Sequence, residues 1–297
     1  MILVTGVSGG LGGMILSGLT RLDGLEAVAG TRLGDGKTAR RVDFDDARSL
    51  PAAFAGADVL LVVSAGYAED DVVFARHGAV ADAAAAAGVR HVIYTSLASS
   101  GGSTTIAVPH RWTEDRLSAG PFTTTILRNG LYTEVPVGLA LAGAADIAAT
   151  GVFAAPFGDG RVSVVAKEDL AEAAVRVAAE SEQDLAAGRV SRHTGRVYEL
   201  EGETAIGGGD IAEILAEISA RPITYRAVTL AEARIALNGS GLEPYQIGHA
   251  LSLFSNVIAG RTEAAGSDLP KLLRGPARPA RAAIAAALSA ISAASGS

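Results

Sequence analysis

Residues 1–13 read MILVTGVSGGLGG, and this stretch decides the fold. The first five residues, Met1–Thr5, form an apolar run that is typical of a short buried β-strand. Apolar residues then recur at helical spacing as far as Leu22. The glycines between them have the spacing G-x-x-G-x-x-G, at Gly6, Gly9 and Gly12. A strand, a glycine-rich turn and a helix in this order predict the first unit of a dinucleotide-binding α/β sheet.

The glycine turn is suited to hold a pyrophosphate. Gly6 permits a tight turn, and Gly9 or Gly10 lets the backbone approach the phosphates. Gly12 allows the helix to pack closely on the strand, while the free N–H groups at the helix start face the anion. The spacing differs from the G-x-G-x-x-G fingerprint, so a glycine-rich turn without a ligand is the alternative interpretation.

Composition narrows the class of protein. The chain has 297 residues, 49% of them hydrophobic, which is enough for one large domain or two closely joined ones. Its net charge of −7, without a basic run, argues against a nucleic-acid surface. Cysteine is absent, no histidine pattern has metal-ligand spacing, and no apolar run is long enough to span a bilayer. We expect a cytoplasmic protein without a metal site.

Strands and helices alternate through the first part of the chain. Apolar runs predict strands at Glu26–Thr31, Asp58–Val63, Arg90–Thr95 and Phe122–Arg128, and a third strand with its exit at Val42–Asp45. Helices between consecutive strands imply right-handed crossovers and a parallel sheet. We therefore predict an α/β fold, a Rossmann-type doubly wound parallel sheet with a smaller C-terminal α/β lobe.

Two parts are expected along the chain. The NAD(P)-binding Rossmann core takes residues 1–130, and later segments, about 145–180, return to it. Residues 131–297 mainly build a substrate-covering lobe and the C-terminal helices. Ligands of such sheets bind at the carboxyl ends of the strands, which selects the glycine turn, Arg32, Ser64–Gly66 and Thr95–Leu97 as the rim of the site.

Arg32 bears on the choice of cofactor. It follows the second predicted strand, where dinucleotide-binding folds recognise the adenosine ribose. An acidic residue there would bind the 2′-hydroxyl, whereas an arginine favours a 2′-phosphate. Arg32 therefore indicates NADPH rather than NADH, with a solvated surface arginine as the alternative. Nearby Lys37, Arg40 and Arg41 add positive charge or are plain surface residues.

Four motifs resemble those of a known family. They are T-G-V-S-G-G-L-G from Thr5, Y-T-S-L from Tyr94, H-x-x-T-E from His110 and L-R-N-G-x-Y-x-E from Leu127. In this order and spacing they resemble the NmrA-like group of atypical short-chain dehydrogenase/reductases. Within that group the chain is most similar to the bacterial type 2 NAD(P)H:quinone oxidoreductases. The L-R-N-G-x-Y motif is the most specific, because a very large superfamily shares the glycine motif.

The resemblance implies a cleft between core and lobe in which NADPH passes hydride directly to a quinone, without flavin. It also implies that Gly6–Leu11 hold the pyrophosphate, Arg32 the 2′-phosphate, and Ser64 with its neighbours the ribose and adenine side. Asn129–Tyr132 would flank the nicotinamide. The expected cofactor contacts are Gly6, Ser8, Gly9, Gly10, Leu11, Arg32, Asp43, Phe44, Val63, Ser64, Ala65, Thr95, Ser96, Asn129, Gly130 and Leu131.

The usual proton donor of short-chain dehydrogenases is missing. Those enzymes use Tyr-x-x-x-Lys, and none of the six tyrosines here has a lysine four residues later. A quinone that accepts hydride becomes a hydroquinone anion, which is far less basic than an alkoxide, so one hydrogen-bond donor can suffice. His110 is the first catalytic candidate, with a cap or surface histidine as the alternative. Tyr132 is the second, with a wall of the nicotinamide pocket as the alternative, and Glu114 is expected to form a salt bridge.

The sequence thus predicts an NADPH-dependent oxidoreductase with a quinone-like or conjugated carbonyl substrate. One alternative is a tailoring reductase of secondary metabolism. Another is a non-enzymatic NADP(H)-binding redox sensor of NmrA type, since the missing Tyr/Lys pair is equally compatible with that role. The expected partner is a small molecule and not a nucleic acid, and a homodimer is compatible with the chain.

Overall fold

The computed structural model describes the backbone of residues 1–36, 39–64 and 68–295, and side chains as far as residue 291. Its strands are β1 (Ile2–Val4), β2 (Ala27–Thr31), β3 (Ala39–Arg41), β4 (Val59–Val63), β5 (His91–Leu97), β6 (Thr123–Asn129), β7 (Leu131–Tyr132), β8 (Val152–Ala155), β9 (Arg161–Val165), β10 (Arg196–Leu200), β11 (Ala205–Gly207) and β12 (Thr224–Ala227). Its α-helices are α1 (Gly10–Leu19), α2 (Leu50–Phe54), α3 (Asp70–Ala86), α4 (Ala107–Ser118), α5 (Glu134–Ala142), α6 (Ala144–Thr150), α7 (Lys167–Ala186), α8 (Gly208–Ser219), α9 (Leu230–Asn238), α10 (Pro244–Ile258), α11 (Leu269–Leu272) and α12 (Ala280–Ser295).

Seven strands form one parallel sheet in the order β10-β6-β5-β4-β1-β2-β3. The strand order reverses between β1 and β4, and the carboxyl ends of these two strands flank the crevice where such folds bind ligands. The predicted Rossmann-type α/β fold is confirmed.

The side chains of β1 alternate between the two faces of the sheet and so belong to two separate layers of the core. Ile2 and Val4 face α1 and α7 on one side of the sheet, and Leu3 faces α2, α3 and α4 on the other. Both sets are fully buried because successive side chains of a strand point to opposite faces. Burial on both faces explains why the first strand is a continuous apolar run.

A second core supports the lobe. Two small sheets, β11-β9-β7 and β12-β8, pack with α5, α8, α10 and α12 around Phe153, Phe157 and Phe254. The second half of the chain also contributes to the Rossmann layer, since α7 packs on α1, and β10 forms the seventh strand beside β6. Among the described residues, no helix combines the length and hydropathy required to cross a bilayer.

The predicted position of the third strand is wrong. The strand is Ala39–Arg41, and Val42–Asp45 follows it as a loop. This edge strand is polar, because two of its three residues are arginines. Arg40 donates hydrogen bonds to the carbonyl oxygens of Ala53 and Ala55, at 2.9 and 2.7 Å. The prediction was placed on Val42 because this residue is apolar and buried, but Val42 follows the strand and is not part of it.

Candidate active site

The glycine turn has the geometry of a phosphate cradle. Gly6 adopts a left-handed φ of +66°, and its carbonyl oxygen accepts a hydrogen bond from the N–H of Gly9 at 3.0 Å. A Cβ on Gly12 would lie 2.4 Å from that same oxygen, so no other residue fits without moving the turn. Two of the three motif glycines are therefore required by backbone geometry alone.

The start of α1 is open to solvent. Ser8, Gly9 and Gly10 are exposed, and Gly9 caps the helix without a side-chain hydrogen bond. The first N–H groups of a helix lack intrahelical partners, so they can bind an anion here. Leu11, in contrast, points into the core and is 6% exposed, so only its backbone can serve a cofactor.

Arg32 stands exposed just beyond β2. It forms no ion pair or hydrogen bond within the described part of the chain. Asp45 lies close enough that Arg32 helps to lower its pKa, although the main cause is the hydrogen bond from Arg76, at 2.6 Å. Asp43 is held by Arg41 at 3.2 Å, and the ring of Phe44 meets His77 edge-on. Lys37 lies outside the described residues.

The end of β4 lies beside the glycine turn. A Cβ on Gly6 would be 3.2 Å from Cβ of Val63, which places the two strand ends side by side. The N–H of Ser64 donates to Oγ1 of Thr95 at 3.1 Å, and the N–H of Val63 donates to Oγ1 of Thr5 at 3.1 Å. These bonds join the carboxyl ends of β1, β4 and β5 into one rim. Ala65 lies outside the described residues.

Ser96 belongs to a partly buried ion-pair cluster. Its hydroxyl donates to Glu114, which also binds Arg111 and Arg128, at 2.6 and 2.7 Å. Burial acts to raise the pKa of Glu114, but the hydrogen bonds from Arg128 and Ser96 and the two arginine charges lower it overall. Arg128 continues to Glu199 of β10 at 3.0 Å. The expected salt bridge of Glu114 is confirmed, and the Ser96 hydroxyl is committed to it.

The chain after β6 continues from the carboxyl end of that strand into β7. Asn129 is 3% exposed, and its Oδ1 has no hydrogen-bond partner among the described residues. The N–H of Gly130 donates to the carbonyl oxygen of Leu200 at 2.8 Å. A Cβ at Gly130 would lie 3.1 Å from that oxygen, so the approach of the two segments depends on glycine. Leu131 packs against the lobe core, and Tyr132 against the Rossmann core.

His110 lies in the first turn of α4 and is partly buried. Its Nδ1 is 2.9 Å from the phenolic oxygen of Tyr94, a fully buried residue of β5. Burial is the main cause that lowers the pKa of His110 to about 3, so the imidazole is neutral at physiological pH. His110 is therefore suited to donate a hydrogen bond and not to act as an imidazolium acid.

Lys167 is a candidate that the sequence analysis missed. It opens α7, yet its Nζ lies 3.7 Å from the position of a Cβ on Gly10. The same atom is 5.3 Å from the ring centroid of Tyr132 and 2.6 Å from Oε1 of Glu134. A cation at the N-terminus of a helix is unfavourable, because it lies at the positive end of the helix dipole. The position of Lys167 at a predicted helix start could therefore have indicated in the sequence that this lysine has another role.

Comparison with known proteins agrees with this geometry. The chain is 33% identical over 252 residues to quinone oxidoreductase 2 of Escherichia coli, and the match covers 82% of each chain. The structure of the NADPH-dependent quinone oxidoreductase of Escherichia coli complexed with NADPH matches 97% of this chain and 99% of its own, with a TM-score of 0.83 and 29% identity. The triphenylmethane reductase of Citrobacter sp. complexed with NADP(H) has the same TM-score and coverage, 0.83 with 97% and 99%, at 27% identity.

No protein-family model matches the chain. The resemblance read from the motifs is nonetheless confirmed by the quinone oxidoreductase 2 match, which extends through core and lobe. The chain therefore belongs to the family of quinone oxidoreductase 2.

Proposed function

We propose that this protein is an NADPH-dependent reductase that transfers hydride directly, without flavin, to a quinone-like or other conjugated carbonyl substrate. The observation that carries the proposal is the open glycine cradle at the switch point of the sheet, with Lys167 and Tyr132 next to it. Relatives named as quinone oxidoreductase and azoreductase support the substrate class.

The residues at the strand ends fit a nicotinamide dinucleotide. The exposed N–H groups of the glycine turn suit the diphosphate. The guanidinium of Arg32, which has no ion-pair partner within the described residues, suits a 2′-phosphate. The buried Oδ1 of Asn129 lacks a donor among the described residues, and the amide of a nicotinamide carboxamide is a donor of the required kind. The division into a cofactor-binding core and a substrate-covering lobe is part of this proposal.

The chemistry needs little from the protein beyond binding and one donor. NADPH, when bound, supplies a hydride. The quinone that accepts it becomes a hydroquinone anion, and one proton from water completes the hydroquinone. Neutral His110 can stabilise the anion by donating a hydrogen bond, while Tyr132 shapes the nicotinamide pocket.

The decisive experiment follows NADPH absorbance in the presence of benzoquinone, naphthoquinones and a simple enone. We expect consumption well above background with at least one quinone, with one hydroquinone formed per NADPH. Tight NADPH binding with no turnover on any acceptor would favour the redox sensor. Turnover on the enone alone would favour a tailoring reductase.

Arg32→Asp tests the choice of cofactor. We expect the affinity for NADPH to fall about 10- to 100-fold, since a charge-assisted hydrogen bond contributes about 1.5–3 kcal/mol. The affinity for NADH, which lacks the 2′-phosphate, is expected to change little. Fluorescence titration with both cofactors measures this, and Arg234→Asp, on the exposed face of α9, is the charge-matched control. An equal loss for both cofactors would reject the assignment.

Lys167→Met tests a different phosphate contact. We place the Lys167 ammonium against the diphosphate, which NADPH and NADH share, so both affinities are expected to fall by about tenfold. Lys167→Arg is expected to restore most of the loss. Lys271→Met is the matched control, because Lys271 forms an ion pair of the same length, 2.6 Å, with Asp268 on the surface. Unchanged titrations for Lys167→Met would remove this residue from the site.

Two further expectations belong to this proposal. We place the protein in the cytoplasm, where NADPH is available and a chain without cysteine needs no oxidising compartment. Homodimerisation stays a prediction, and light scattering coupled to size exclusion measures it directly.

A further inference from the structure

The inference concerns the buried contact between Tyr94 and His110, and it rests on the proposed function. A neutral imidazole carries one hydrogen, on Nδ1 or on Nε2. On Nε2 it can be donated to a ligand, whereas on Nδ1 it leaves Nε2 as an acceptor. Which tautomer is present decides whether His110 can stabilise a negative oxygen or would repel it.

Distances around Tyr94 distinguish the two cases. The phenol has a single hydrogen, and among the described residues Nδ1 of His110 lies 2.9 Å and Oγ of Ser64 3.4 Å from its oxygen. The hydroxyl of Thr113 is a third neighbour, but it already donates to the carbonyl oxygen of Pro109 at 2.7 Å and lies 2.8 Å from Nδ1 of His77. The distance to Nδ1 of His110 is normal for a hydrogen bond, and the distance to Oγ of Ser64 is long for one between two oxygens. The shorter distance favours donation from Tyr94 to Nδ1, and this arrangement places the hydrogen of His110 on Nε2.

Burial keeps Tyr94 in the form that can donate. The residue is 0% exposed, and burial raises the pKa of its phenol well above the usual range. Tyr94 therefore stays protonated. Nε2 of His110 has no hydrogen-bond partner within the described residues, and it is not among their buried unpartnered atoms, so it is accessible.

We propose that Tyr94 is a positioning residue that holds neutral His110 in the Nε2–H tautomer, so that the imidazole presents a donor to the substrate oxygen that gains charge. Tyr94 does not touch the substrate and acts only through His110. This arrangement supplies a donor without the Tyr-x-x-x-Lys pair, and it comes from two elements, β5 and α4.

A second pair in the same molecule provides an internal reference. Tyr198 lies 2.8 Å from Nδ1 of His193, whose Nε2 is 2.9 Å from Oε2 of Glu180. A carboxylate accepts only, so this histidine must carry a hydrogen on Nε2. The His193 pair lies on the edge strand β10 and its neighbours, apart from the proposed cofactor and substrate residues.

Long-range ¹H–¹⁵N NMR of histidine-labelled protein reads the tautomer directly. His110→Ala assigns the His110 signals among the five histidines. We expect a hydrogen-bearing Nε2 and a bare Nδ1 in the wild-type protein, as for His193. A hydrogen on Nδ1 of His110 would overturn the proposal, whether or not the protein reduces quinones, and this result needs only the unsubstituted chain.

Kinetics tests the consequence for turnover. We expect Tyr94→Phe to lower kcat about 3- to 10-fold, with unchanged NADPH affinity and a mixture of tautomers in the NMR spectrum. Added to His110→Ala, the same substitution should have no further effect, because it acts through the missing ring. Tyr198→Phe removes an equivalent phenol–imidazole bond and should leave kcat unchanged. A full additional loss in the double variant would contradict the positioning role.

Discussion

Gly12→Ala is expected to weaken NADPH binding by about 10- to 100-fold. The new Cβ would lie 2.4 Å from the carbonyl oxygen of Gly6 and 2.7 Å from its carbon. Both atoms belong to the backbone of the cradle, so the turn itself must shift. Overpacking of this kind costs about 1–3 kcal/mol, and here it falls on the segment that would hold the diphosphate. Calorimetric titration with NADPH and NADH measures the loss, which should be equal for the two.

Gly138→Ala is the matched control for this experiment. Gly138 also lies inside a helix, α5, but a Cβ there meets nothing within 4 Å. We expect it to bind NADPH like the wild type and to melt at the same or a higher temperature. Circular dichroism establishes whether Gly12→Ala is folded. A folded Gly12→Ala protein with normal affinity would contradict the placement of the cofactor.

Of the substitutions named in this section, Glu114→Ala is expected to lower the free energy of unfolding the most. The Glu114 side chain is 10% exposed and balances two arginines, with Arg128 reaching on to Glu199. Removing one partner of a buried pair costs about 3–5 kcal/mol, and the partly exposed arginines place this case at about 3 kcal/mol. Urea unfolding measures the free energy. Glu217→Ala is the control, because its ion pair with Arg281 is exposed and such pairs contribute about 0–1 kcal/mol.

The pH dependence of the free energy of unfolding gives a second test of the charge on Glu114. Its pKa is lowered in the folded protein, so its contribution is fully present above the unfolded value of about 4.3. The contribution is lost as the pH falls through the lower folded value. The stability gap between wild type and Glu114→Ala should therefore narrow in acid. A gap that is constant from neutral pH to strong acid would show that packing, and not charge, accounts for the loss.

Local features were predictable because each depends on neighbouring residues. The buried strand Ile2–Val4, the turn at Gly6 and the start of α1 follow from apolar runs and glycine geometry. The exposed position of Arg32 follows from its place directly after the second strand. The edge strand Ala39–Arg41 was misplaced because it has no apolar pattern. Its Arg40 side chain donates to the carbonyl oxygens of Ala53 and Ala55, and sequence spacing does not indicate these contacts.

By itself, the sequence determined the α/β class, the glycine turn between β1 and α1, and the family, since apolar runs, helical periods and motifs are properties of adjacent residues. Only the tertiary structure decided that Lys167 lies beside Gly10 and Tyr132, and that Tyr94 meets His110. Both contacts join residues of different helices and strands, and Lys167 comes from a helix far along the chain. Their distances are set by how helices pack on the sheet, and no spacing in the sequence encodes that packing directly.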